Sequence, residues 1–113
     1  MMDLTFIRQG YKDKGLDKED LNTDPVIQFE SWFEEAKKSE PIPTAMSLST
    51  VNNNGEPTLR TVLLKLFDKK GFVFFTNYKS RKADHITDNP NVAVLFNWVA
   101  MERQVCISGI AEK

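Results

Sequence analysis

From residue 25 onward the apolar positions follow two periods. Phe29, Trp32, Phe33 and Ala36 fall at i, i+3, i+4 and i+7, which is one stripe of an amphipathic helix. Glu30, Glu34 and Glu35 lie off the stripe, and Lys37-Lys38 stand where cations complement the end of a helix dipole. Asp24-Pro25 supplies an N-cap and a first helical residue. Pro41-Ile42-Pro43 cannot continue a helix. The pattern predicts a helix over 25–38 that buries Phe29, Trp32 and Phe33.

The period then shortens to that of strands. Residues 44–51 alternate small and larger side chains, and Asn52-Asn53-Asn54-Gly55 reads as a hairpin turn. Pro57 opens a second strand over 58–67, Asp68 to Gly71 turns the chain, and 71–76 returns. These three segments predict an antiparallel meander. Ser80 can cap a short helix over 81–88, which Asn89-Pro90 ends. Residues 91–98 are almost continuously apolar at their centre, which predicts a strand covered on both faces. A last strand over 103–113 has Gly109 as a candidate bulge. Residues 1–23 carry no clean period and read as a polar arm with at most one helical turn, leaving 24–113 as the folded domain. The expected fold is mainly β (α+β), a barrel-like antiparallel sheet of about five strands with two helices. A sheet that ends on Lys113 has an open edge, so self-association is expected.

Composition narrows the chemistry. The 113 residues suffice for one domain, with 41% apolar and 27% charged residues. A net charge of -1 provides no field for nucleic acid, so any anion site must be a local cluster. The single Cys106 excludes an internal disulfide and fits a reducing, cytoplasmic setting. No apolar run has membrane-spanning length or the form of a signal-peptide core. One histidine and one cysteine make a zinc site or a hydrolytic triad improbable, and His85 reads as a surface or packing residue. No catalytic residue and no metal ligand is assigned.

The candidate anion site is the stretch 60–82. Arg60 and Lys65 flank an apolar run, and Lys79-Ser80-Arg81-Lys82 places cations at a helix start, where they oppose the dipole. An anion at that end and a solvated cationic loop are even readings of the tetrapeptide. In a regular strand Arg60 and Lys65 face opposite sides. One site can use both if the ligand straddles the strand end or the strand bulges; otherwise they serve different phosphates.

The series R-T-V-L-L-K, G-F-V-F-F-T-N, S-R-K, N-P-x-V-A-V-L-F-x-W and E-R-Q-V closely resembles pyridoxine/pyridoxamine 5′-phosphate oxidase. The N-terminal R-x-x-Y-x-x-x-G-L and the D-P-x-x-x-F-x-x-W helix resemble the same family, so the likeness runs from about residue 7 to 113. It implies an FMN-binding split β-barrel, a homodimer with two flavin sites, and oxidation of pyridoxamine or pyridoxine 5′-phosphate to pyridoxal 5′-phosphate with O2 as acceptor. It implies FMN contacts from Arg60, Thr61, Val62, Leu63, Leu64, Lys65, Phe75, Thr76, Arg81, Lys82 and Gln104. It implies substrate contacts from Lys65, with Arg8 and Tyr11 in a segment that closes over substrate, although Gln9-Gly10 replaces a more charged pair. Members of the family continue for roughly as many residues again, so the barrel is expected to be incomplete in these 113 residues. The alternatives are a flavin-binding module or truncated fragment without oxidase activity, and a small nucleic-acid-binding barrel, which the net charge disfavours.

Overall fold

The computed structural model describes residues 1–113 apart from Arg8, Gln9, residues 11–14, Tyr78, Ser80 and the side chain of Arg81. The expected cap at Ser80 and the expected lid residues Arg8 and Tyr11 lie outside the described residues. A single 3-10 turn, Lys18–Asp20, precedes helix α1, Pro25–Ser39. Strands β1 (Ala45–Val51), β2 (Pro57–Asp68) and β3 (Gly71–Phe74) follow. Helix α2, Arg81–Asp88, leads into β4 (Asn91–Trp98) and β5 (Arg103–Ile110). The five strands form one antiparallel sheet in the order β3-β2-β1-β4-β5, curled into a half-barrel. Its two edges are β3 and β5.

Local chemistry sets the element boundaries. The Asp24 carboxylate accepts from the Val26 N–H at 2.9 Å and caps α1. In the first hairpin the Asn52 side chain accepts from the N–H groups of Asn54 and Glu56, and Gly55 takes φ +79°. In the second, Asp68 accepts from the N–H groups of Lys70 and Gly71. These caps fix the register, which pairs Leu48 with Arg60 and Thr50 with Thr58.

The core lies on one face of the sheet. Met46 and Leu48 of β1, Val62 and Leu64 of β2, and Val94, Phe96 and Trp98 of β4 are buried there. Phe29 of α1 is 4% exposed and touches the rings of Phe33, Phe67, Phe72, Phe96 and Trp98. The Trp98 indole N–H donates to the Pro43 carbonyl at 3.1 Å, so the largest buried side chain also ties down the segment after α1.

Three expectations change. Trp32 and Phe33 are half-buried, because they lie at the rim of the α1 contact; the Arg103 guanidinium covers the Trp32 ring at 4.8 Å. Within one chain β4 is fully covered on one face only: Val94, Phe96 and Trp98 are buried, while Ala93 and Leu95 are half-buried on the other face. Gly109 makes no bulge, since β5 keeps register with β4 from Trp98–Arg103 to Asn91–Ile110. The bulge is at Lys65, where the β2–β3 register slips between Leu64 and Leu66. That extra residue lets Leu64 and Phe67 both face the core opposite Phe74 and Phe72. Among the described residues no helix is long and apolar enough to cross a membrane.

Candidate anion site

Arg60 is the centre of the site. Its position on β2 points it to the core face, beside Thr58 on its own strand and Thr50 on β1. Its two terminal nitrogens each donate to Thr50 Oγ1 at 3.0 Å, and Nη2 also donates to Thr58 Oγ1. Nη1 reaches the Leu48 carbonyl at 3.4 Å. Every one of these acceptors is neutral, and among the described residues no carboxylate pairs with Arg60. Loss of water around the guanidinium holds its pKa below the ordinary arginine value. A half-buried cation held only by hydroxyls and a carbonyl is oriented but not neutralised, and that favours an incoming anion.

Helix α2 closes this end of the sheet. Its His85 is 8% exposed, and Nδ1 lies 3.3 Å from both Thr50 Oγ1 and Thr58 Oγ1. The first turn of α2 carries Arg81 and the half-buried Lys82. The sheet and helix thus place one cation of the predicted set, Arg60, under the helix that carries two more.

The other predicted residues occupy different places. Phe75, 69% exposed, and Thr76 follow β3 and line a cleft of about 930 Å3 between β3, α2 and the end of β5. Thr76 Oγ1 is buried and has no hydrogen-bond partner among the described residues. Lys65 is exposed on the bulge, so the strand does bulge between the two cations, at the second of them. Val62 and Leu64 spend their side chains in the core. Thr61 and Leu63 face outward on β2, and Gln104 faces outward on β5 opposite Asn97. Gln104 and Arg60 therefore lie on opposite faces of the sheet and are not brought together within one chain.

Thr50, Thr58 and the partner role of His85 were not read from the sequence. The Asn-Gly hairpin was the available signal: once its turn is placed, antiparallel register sets Thr50 opposite Thr58, with Arg60 next on the same face.

Residues 33–113 match the family described as Pyridoxamine 5′-phosphate oxidase. A pyridoxine/pyridoxamine 5′-phosphate oxidase of Crocosphaera subtropica is 57% identical over 113 residues, covering 99% of this chain and 53% of that protein. The protein of the same name from Aliarcobacter butzleri is 54% identical, with 99% of this chain and 53% of that protein covered. The chain spans about half the length of these curated relatives. Among solved structures, PhzG from Burkholderia lata 383, in complex with tetrahydrophenazine-1-carboxylic acid, superposes with a TM-score of 0.76 at 26% identity over 81% of this chain and 46% of that one. A pyridoxamine 5′-phosphate oxidase-related, FMN binding protein from Nostoc punctiforme superposes with a TM-score of 0.68 at 23% identity over 80% of this chain and 47% of that one, a likeness of fold. The half-barrel is thus the split-barrel fold of these neighbours, and the chain belongs to the pyridoxamine 5′-phosphate oxidase family.

Proposed function

We propose that the chain binds FMN and forms the flavin half of an enzyme that oxidises pyridoxamine or pyridoxine 5′-phosphate to pyridoxal 5′-phosphate with O2 as acceptor. The observation that carries the reading is Arg60: an oriented, half-buried guanidinium without an anionic partner among the described residues, beneath a helix that begins with Arg81-Lys82. The buried, unpartnered Thr76 hydroxyl is a second feature that a polar ligand would satisfy. Both fit a flavin phosphate and its attached chain.

In this reading Arg60, Arg81 and Lys82 hold the phosphate, Phe75 and Thr76 border the flavin, and residues 61–64 offer it backbone groups, since Val62 and Leu64 have no free side chain. When bound, flavin supplies the two-electron acceptor for the substrate carbon. Lys65, lifted out on the bulge, grips the substrate phosphate, and Arg8 and Tyr11 close over it. Gln104 serves a flavin on its own outward face, which supports a homodimer: a site using Arg60 and Gln104 draws them from two copies. The cytoplasm is the proposed compartment.

Because the chain spans about half the length of its relatives, turnover is proposed for a protein of their length and flavin binding for these 113 residues. Adding FMN, pyridoxamine 5′-phosphate and air to each, and following flavin fluorescence and pyridoxal 5′-phosphate, tests both statements. Flavin binding without turnover by the 113 residues is expected, and no flavin binding by either protein contradicts the reading.

A further inference from the structure

The contacts beneath α2 allow a proton count. A guanidinium only donates, and each threonine hydroxyl has one proton to give. Thr50 Oγ1 and Thr58 Oγ1 both accept from Arg60, and they lie 3.0 Å apart. One hydroxyl proton can therefore be used between the pair. The other must leave it, and the acceptor within reach among the described residues is His85 Nδ1, 3.3 Å from each oxygen. The chain of donors runs in one direction, from the guanidinium through two hydroxyls to the imidazole. It closes only if Nδ1 is bare and the ring proton sits on Nε2. A proton on Nδ1 would leave one hydroxyl proton with no acceptor among the described residues, turned toward the cation. Among the described residues β1 and β4 carry no charged side chain and β2 brings Arg60 to this spot; on α2 Lys82 is half-buried one turn before His85, and Asp84 and Asp88 are exposed.

We propose that His85 is a positioning residue for Arg60, the terminal acceptor that keeps both threonine lone pairs turned toward the guanidinium and ties it to the helix bearing Arg81 and Lys82. The consequence for ligand binding rests on the reading of Arg60 as a phosphate ligand. With His85 in place the guanidinium is held at one angle, and its distance to the first turn of α2 is fixed by a buried side chain rather than by a loop. His85 touches no reacting atom, so its effect falls on phosphate recognition and not on the flavin ring.

His85 is the sole histidine, so a nitrogen-15 histidine spectrum of the full chain reports this ring alone. Without flavin, at mildly alkaline pH, the expected form has Nδ1 unprotonated and Nε2 protonated; a dominant Nδ1–H form overturns the proposal and needs no variant. The second arm compares His85→Asn, whose amide oxygen can stand where Nδ1 stands, with His85→Leu, which has no acceptor. His85→Leu is expected to weaken FMN by about tenfold or more, His85→Asn by less than about threefold, and riboflavin by less than about threefold in both. Equal FMN losses in the two variants, or none in either, overturn the proposal. If the unaltered chain binds FMN no better than riboflavin, the phosphate reading of Arg60 fails by itself, and the tautomer alone decides the link between His85 and Arg60.

Discussion

Both terminal nitrogens of Arg60 lie 3.0 Å from the hydroxyl oxygen of Thr50 on the neighbouring strand. The relationship places a permanent cation against the core face of a sheet and satisfies its donors without neutralising it. Hydrogen bonds to neutral oxygens fix direction but leave the charge to be met by something else. The energetics of the surrounding fold bear on whether that arrangement is stable, and each part can be tested.

Phe29 should be the dominant apolar anchor of α1. It contacts five aromatic rings and is almost wholly buried, so Phe29→Ala should cost about 3–5 kcal/mol. Trp32 is half-buried beneath Arg103, and Trp32→Ala should cost less, about 1–2 kcal/mol. Urea midpoints with unchanged slopes check both values, and a larger loss for Trp32 than for Phe29 contradicts the packing.

The bulge at Lys65 lets Leu64 and Phe67 share the core face although they stand three residues apart. Deleting Lys65 leaves them two apart, which regular strand alternation also puts on one face, so Phe67 should stay in the core and stability should change by about 1 kcal/mol or less. Lys65→Ala leaves the backbone as it is and should change stability by less than about 0.5 kcal/mol, because the side chain is exposed. Its effect should appear instead as a raised KM for pyridoxamine 5′-phosphate in a protein of the relatives' length. Denaturation of the two variants side by side checks this, and a loss of about 3 kcal/mol or more on deletion contradicts the register.

Thr76 should trade stability for binding. Its buried oxygen has no partner among the described residues, so Thr76→Val should stabilise the flavin-free chain by about 1 kcal/mol. The same change should weaken flavin, because the hydroxyl then has nothing to offer it. Thermal melts with and without FMN check the pair of effects, and a destabilised flavin-free variant contradicts the assignment.

Much of the fold was legible in the sequence because its signals were local. Asp24-Pro25 marked the start of α1, and Asn-Gly and Asp68 to Gly71 marked the two hairpins. Alternation of β1 put Met46, Leu48 and Thr50 on one face. The bulge was not legible: Lys65 carries no backbone signature, and the slip exists only relative to β3, whereas the glycine that invited a bulge, Gly109, sits in a regular ladder. The candidate anion site was half legible. Arg60, Arg81 and Lys82 stood out as cations, but the hydroxyl pair and His85 come from three different elements and meet only after the sheet and α2 pack. The half-burial of Trp32 was hidden for the same reason, since a helical stripe shows a direction and not how far the contact extends.

Self-association is expected from two features. β3 and β5 are open edges, and the outward face carries exposed Leu59, Leu63 and Leu66 beside Val73 of β3 and Phe75 just after it. Sedimentation at micromolar concentration should give the mass of a dimer. A folded monomer of 13.0 kDa under those conditions contradicts the two-copy site.

The central claim is that Arg60 waits for a phosphate. The direct measurement is the dissociation constant of FMN and of riboflavin, which lacks the phosphate, for the unaltered chain and for Arg60→Ala. The unaltered chain should favour FMN. Arg60→Ala should lose about 1.5–3 kcal/mol of FMN binding, roughly ten- to hundredfold, and leave riboflavin almost unchanged. Equal losses for the two flavins, or no loss for either, would contradict the account.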